Sequence, residues 1–211
     1  MRFRNRSEAG RILSQQLERY KDRPDVLVLG LPRGGVPVAY EVARALNSPL
    51  DVFVVRKLGL PGHEELAMGA IASGDIRVLN DSVVEQFGVL PDAIEAATAR
   101  EKDELKRREH LYRGDRPHPD ISGRTVIVVD DGLATGSTMR VAVAALRRQN
   151  PFKIVVAVPT AAAEICEQLK AEADEVVCAM MPEPFYAVGL WYEKFDQTSD
   201  EEVTDLIRRA A

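Results

Sequence analysis

Val126-Ile127-Val128-Val129-Asp130-Asp131-Gly132-Leu133-Ala134-Thr135-Gly136-Ser137-Thr138 decides the fold of this chain. Four successive β-branched apolar residues predict a strand buried on both faces, as in the centre of a parallel sheet. The strand delivers two adjacent acids to its carboxyl end, the edge at which open α/β sheets bind ligands. A tight turn of small and hydroxylated residues follows, and then a helix begins. Backbone N–H groups at such a helix start are unpaired, and the helix dipole favours an anion there. Thr135, Ser137 and Thr138 add hydroxyl donors, and Gly136 lets the backbone approach the anion closely. One end of the motif therefore suits a phosphate and the other suits vicinal hydroxyls, both of which a ribose 5-phosphate carries.

Working outward, the second half of the chain repeats the alternation of strand and helix. Strands are expected at 126–129, 154–158 and 175–178, with helices at 136–149 and 161–171. Upstream, Val26-Leu27-Val28-Leu29 is another fully apolar run, broken by Leu31-Pro32-Arg33-Gly34-Gly35 and followed by a helix over 36–46. Asp51 to Val55 predicts a second buried strand that ends in Arg56-Lys57, and strand, helix and strand make a right-handed βαβ unit. Ile12, Leu13, Leu17 and Tyr20 mark an amphipathic opening helix that stops near Pro24. Residues 58–66, with two glycines and a proline, read as a mobile loop. A hairpin is expected from 67–72 and 76–79 around Ser73-Gly74-Asp75. A charged helix is expected over 91–112, with Ile94, Ala97, Leu105 and Leu111 on its apolar side.

The fold class is therefore α/β, an open, mostly parallel twisted sheet flanked by helices. One domain is expected over 1–211, with a core at about 24–180 and an irregular, aromatic C-terminal segment at about 181–211. The chain has 211 residues, 45% of them hydrophobic and 29% charged, which is ordinary for a globular protein. A net charge of −5 argues against a general nucleic-acid-binding surface. Cys166 and Cys178 fit no metal-ligand spacing and read as free thiols of a reducing compartment. The basic N-terminus lacks the apolar core of a secretory signal, and no apolar run reaches membrane-spanning length, so the expected location is cytoplasmic.

The 126–138 segment resembles the signature of type I phosphoribosyltransferases, which bind 5-phosphoribosyl-1-pyrophosphate (PRPP). The resemblance implies that Asp130 and Asp131 hold the ribose hydroxyls, directly or through Mg²⁺, and that Ala134, Thr135, Gly136, Ser137 and Thr138 wrap the 5′-phosphate. It implies a pyrophosphate turn at Arg33, Gly34 and Gly35, with an unusual cis peptide at Arg33–Gly34, and a flexible flap at 58–66 bearing His63, Glu64 and Glu65. Arg33 offers a planar charge that can grip two phosphate oxygens. Lys57, preferred over Arg56, would add a second cation for the pyrophosphate. Base recognition in the family falls to a hood outside the core, here the C-terminal aromatics Phe185, Tyr186, Trp191 and Tyr192. His110 and His118 are given no role. LPRGG, the segment Glu65 to Ile71 and VDDGLATGST together resemble a group of predicted phosphoribosyltransferases without an assigned acceptor.

The implied chemistry is displacement of pyrophosphate from the anomeric carbon by a nitrogen nucleophile, a nucleobase or related heterocycle, in nucleotide metabolism. The partners implied are PRPP and a small-molecule acceptor, with a homodimer as the statistical default. The alternative is a non-catalytic module of the same fold that senses PRPP or nucleotides. Neither a Walker A loop nor G-x-G-x-x-G is present. A sugar-phosphate hydrolase would need an activated water that no motif supplies.

Overall fold

A computed structural model of the chain describes residues 2–210, apart from the side chain of Glu65. Asn5 caps the first helix, α1 (Arg6–Gln16), its side chain accepting from the Glu8 N–H, as a short polar side chain does at a helix start. Leu13, Leu17 and Tyr20 are buried as the amphipathic spacing requires. β1 (Val26–Gly30) is buried at every position and leads through the 31–35 turn into α2 (Gly35–Leu46). Asn47 ends α2 in the left-handed conformation.

The next strand, β2 (Leu50–Val52), is shorter than the apolar run 51–55 predicts. The chain leaves the main sheet at Phe53–Val54, where Ser73 Oγ rather than a neighbouring strand receives the Val54 N–H. Arg56 and Lys57 consequently belong to β3 (Val55–Leu60), which pairs antiparallel with β4 (His63–Ala72). The expected loop at 58–66 is thus a hairpin with Pro61-Gly62 at its tip. Its polarity reflects exposure of residues 61–64, while Leu58 and Leu60 are buried beneath. Register shifts around Gly59 hide the two-residue alternation that would have marked a strand. β4 continues into the expected hairpin with β5 (Ile76–Leu79). A short helix, α3 (Asp81–Gln86), was not foreseen; Asn80 caps it through the Val83 N–H.

α4 (Pro91–Arg113) has Pro at its start and Gly114 at its end. Ile94, Ala97 and Leu105 face the core, but Leu111 is 39% exposed, because its position falls just outside the stripe that packs. β6 (Thr125–Val129), α5 (Ser137–Arg147), β7 (Lys153–Thr160), α6 (Ala163–Leu169) and β8 (Glu175–Met180) follow the predicted order, whereas the C-terminal segment expected to be irregular holds a helix, α7 (Asp200–Arg209), that was not foreseen.

β2-β1-β6-β7-β8 form a five-stranded parallel sheet, and β3-β4-β5 a separate antiparallel one. Alternate residues of the parallel strands serve opposite faces. Val26, Val28, Ile127 and Val129 pack with α1, α2, α4 and α7, and Leu27, Leu29, Val126 and Val128 with α5 and α6. Ile127 is fully buried at the middle of this sandwich. Ile127→Ala is expected to lower the unfolding free energy by about 2–5 kcal/mol in urea denaturation; a loss of only a few tenths would contradict two-sided burial.

Cys166 and Cys178 are bonded to each other rather than free. α6 packs along β8 and brings their Cα atoms to 7.0 Å, a juxtaposition created by tertiary packing and carried by no sequence spacing. Among the described residues no helix is long and apolar enough to cross a membrane.

Candidate functional site

The strand order places the topological switch point between β1 and β6, since the chain leaves β1 toward β2 on one side and later returns to β6 on the other. A crevice opens at the carboxyl edge of such a pair, where ligands of open α/β sheets bind. The two loops at that edge are the 31–35 turn and the 130–138 segment, the two motifs singled out from the sequence.

They touch. A Cβ on Gly34 would run into Asp131 Oδ2, and one on Gly35 would stand 2.6 Å from the Val129 carbonyl oxygen and 2.9 Å from Asp130 Cα. Both glycines are therefore demanded by close approach. The cis peptide of this turn is Pro32–Arg33, not Arg33–Gly34. Gly34 already has helical torsions (φ −62, ψ −30) as the cap of α2, so the irregular bond lies one residue earlier than expected. Arg33 is half-buried and stands 3.8 Å from Asp200 at the start of α7. Asp200 also accepts a hydrogen bond from Tyr112 Oη at 2.6 Å, and burial beside it pushes the Tyr112 phenol up to about 12.

Asp130 and Asp131 follow the last residue of β6. Asp130 Oδ1 accepts the Asp131 N–H at 2.8 Å. Burial pushes the Asp130 carboxyl well above the usual carboxylate range, and the charge of Asp131 pushes in the same direction. Burial raises Asp131 as well, opposed by the Arg6 guanidinium, whose Nε donates to Asp131 Oδ2 at 2.8 Å. Two adjacent carboxyls with one cation suit a ligand that brings hydroxyl donors or positive charge.

Ala134, Thr135 and Thr138 are exposed along the turn, whereas Gly136 is buried with φ +69, a conformation that favours glycine. A Cβ there would also stand 2.7 Å from Ile165 Cγ2. α5 starts without a side-chain bond from its cap Gly136; the Ser137 N–H donates to Thr135 Oγ1 at 3.4 Å, and the next first-turn N–H groups, of Thr138 and Met139, are left open to an anion. Lys57 Nζ reaches across from β3 and donates to Ser137 Oγ at 2.9 Å. The structure thus brings Lys57, expected as a cation for the pyrophosphate, to the hydroxyl loop at the same carboxyl edge. Arg56 is held by Glu101 at 2.7 Å. A cleft of about 570 Å³ opens beside this loop, lined by Lys57, Gly59, Glu64, Arg100, Glu101 and Thr138 among others. Thr138→Val is expected to weaken phosphate binding severalfold, read as a raised dissociation constant for ribose 5-phosphate.

The C-terminal aromatic segment, expected as the hood, packs against the start of the described chain. The Phe3 N–H donates to the Trp191 carbonyl, the Glu193 N–H donates to the Phe3 carbonyl, and Phe3 packs on Tyr192. Tyr192 is buried, and its hydroxyl donates to the Asp131 carbonyl oxygen at 2.6 Å. That makes it a strut under the acid pair rather than a free stacking face. Tyr192→Phe is expected to cost about 1 kcal/mol of stability, checked by denaturation. Phe185 and Trp191 stack on each other at 6.4 Å, with Trp191 Nε1 buried and without a partner among the described residues. Tyr186 is 78% exposed. Helix α7, within the same C-terminal segment, leaves the hood and buries Val203 and Ile207 in the main core.

His63 lies against Phe87 at the hairpin tip, with Glu64 lining the cleft; the Glu65 side chain lies outside the described residues. Arg113, Asp51 and Glu109 form a buried ion cluster that fastens α4 to the sheet edge, and the exposed His118 meets Arg113 from outside at 2.8 Å. Among the described residues no three His, Cys, Asp or Glu side chains converge as a metal cage.

Arg6 and Phe195 belong to the site and were not singled out from the sequence. Arg6 Nη1 donates to the Asp196 carbonyl at 2.7 Å, and its guanidinium carbon lies 4.0 Å from the centre of the Phe195 ring. The available signal was a cation in the first turn of a helix, where the dipole disfavours positive charge unless it serves a partner elsewhere.

Fold and crevice define an α/β protein whose candidate site lies at the carboxyl edge of a parallel sheet, between a glycine turn and an acid pair. The phosphoribosyl transferase domain model matches residues 4–186, and the chain belongs to that family. It is 46% identical over 208 residues to a Mycobacterium tuberculosis H37Rv protein named "Putative phosphoribosyl transferase Rv0571c", covering 99% of this chain and 47% of that one. The chain thus spans about half the length of the curated relatives it matches. The crystal structure of TT1426 from Thermus thermophilus is similar over the whole of both chains, with 43% identity and a TM-score of 0.89. The AQ2163 protein from Aquifex aeolicus shares the fold at 12% identity and a TM-score of 0.50, over 87% of this chain and 78% of that one.

Proposed function

We propose that the chain transfers a phosphoribosyl group from PRPP to the nitrogen of a small heterocyclic acceptor, in a cytoplasmic setting. The observation that carries the reading is the meeting of two anion-suited loops on either side of an acid pair at one switch point. The 5′-phosphate would lie on the open N–H groups of α5, held by Thr135, Ser137, Thr138 and Lys57. The pyrophosphate would lie along the 31–35 turn under Arg33, which would exchange its longer contact with Asp200 for phosphate oxygens.

Asp130 and Asp131 would accept hydrogen bonds from the ribose hydroxyls and face the positive charge that develops on the ring as pyrophosphate leaves. The nitrogen nucleophile would form its bond to the anomeric carbon opposite the departing oxygen and invert that centre. The Phe185–Trp191 pair would offer the acceptor an aromatic surface, and the exposed hairpin tip at 61–64 would cover the cleft and exclude water. Asp130 and Asp131, two adjacent carboxyls at the sheet edge, are oxygen donors of the kind Mg²⁺ takes and would be the residues to hold it. When bound, Mg²⁺ would neutralise charge on the leaving group.

The test is release of pyrophosphate from Mg·PRPP with a panel of purine, pyrimidine and other nitrogen heterocycles. Release that depends on one acceptor class and disappears in the Asp130→Asn, Asp131→Asn double variant is the expected result. Tight PRPP binding with no release across the panel would favour the sensing module.

A further inference from the structure

Arg6 lies 125 residues from Asp131 in sequence, and yet its guanidinium is held by three separate contacts beside that acid. Nε donates to Asp131 Oδ2, Nη1 donates to the Asp196 carbonyl, and the Phe195 ring covers the flat face. The side chains of Arg6 and Asp131 are only 13% and 15% exposed. A pair this sheltered is geometrically stricter than a surface ion pair, because its alternatives in water are removed. The glycine at 34 seals the arrangement, since a Cβ there would collide with Asp131 Oδ2 and come within 3.3 Å of Arg6 Nε. Tyr192 fixes the backbone of the same residue from the other side. Asp131 Oδ1, by contrast, makes no hydrogen bond among the described residues.

We propose that Arg6 is a positioning residue: gripped between Phe195 and the Asp196 carbonyl, it fixes the Asp131 carboxylate by one oxygen and leaves the other free for a ribose hydroxyl. The inference rests on the reading of Asp131 as a ribose ligand and extends it to the chain ends. α1 and the segment at 195–196 become part of the sugar site, not merely a cover over the sheet. The fork geometry matters as well as the charge, since one guanidinium serves a carboxylate and a carbonyl at once.

The experiment compares wild type with Arg6→Gln, titrated with ribose 5-phosphate and with inorganic phosphate. Only the first reaches the acid pair, whereas both occupy the 134–138 loop. Arg6→Gln is expected to weaken ribose 5-phosphate by about tenfold or more and to leave inorganic phosphate unchanged. Equal weakening of both ligands, as general damage would give, or no change in either, overturns the proposal. Phe195→Leu provides a second variant if Arg6→Gln folds poorly: it frees the guanidinium without removing it and is expected to produce a smaller loss, again for ribose 5-phosphate alone. Wild-type protein that binds neither ligand would overturn the reading of the site itself. Ligand-free crystal structures of wild type and Arg6→Gln then decide the role of Arg6 alone, with an unchanged Asp131 side-chain orientation counting against it.

Discussion

Asp130→Asn combined with Asp131→Asn is expected to weaken Mg·PRPP binding about a hundredfold or more while the protein remains folded. Each carboxylate hydrogen bond to a ligand hydroxyl is worth about 1.5–3 kcal/mol, so losing both multiplies two large factors. Asn keeps the shape and one acceptor oxygen, which makes collapse of the site an unsuitable explanation for the loss. Stability should move the other way at neutral pH for Asp130→Asn alone. The Asp130 carboxyl titrates well above its unfolded value of 3.8. As pH rises past that value the unfolded chain releases its proton first, and the native state loses stability until pH passes the folded value. Asn at 130 has no such titration, so the single variant Asp130→Asn should gain on wild type between acid and neutral pH, whereas Asp131→Asn also takes the partner from the sheltered Arg6 guanidinium and offsets that gain in the double variant. Denaturation at both pH values together with calorimetry checks the pair of claims. Unchanged PRPP affinity would remove these acids from the site.

Gly136→Val carries the second large effect, at the opposite end of the ligand. Position 136 has φ +69, which a β-branched residue reaches only with strain, and its Cβ would press on Ile165. The turn must therefore move, and it carries the hydroxyls and open N–H groups expected to hold the 5′-phosphate. The expected outcome is loss of measurable ribose 5-phosphate binding, with a stability cost of about 1–3 kcal/mol for the strained backbone. Retention of affinity would displace the loop from the phosphate site.

The parallel core was legible because β1 and β6 are apolar on both faces, a pattern that only a central strand needs. The site motifs were legible for a related reason: their glycines, acids and hydroxyls lie in short contiguous runs. The hairpin at 55–72 was only half legible, since its bulge near Gly59 and its exposed tip erase the alternation that reveals a strand. The cysteine pair was misread because its partners meet only when α6 packs along β8. Arg6 escaped notice because nothing local marks it, and Phe195 reads as one more C-terminal aromatic; their meaning arises when both pack beside Asp131. Tyr192 was noticed for its ring, while its structural work is done by its hydroxyl.

The most direct test of the central claim is calorimetric titration of the wild-type protein with PRPP, with and without Mg²⁺. Saturable binding that Mg²⁺ strengthens, and that the Asp130→Asn, Asp131→Asn variant loses, is the predicted result. A well-folded wild-type sample that takes up no PRPP under either condition would contradict it.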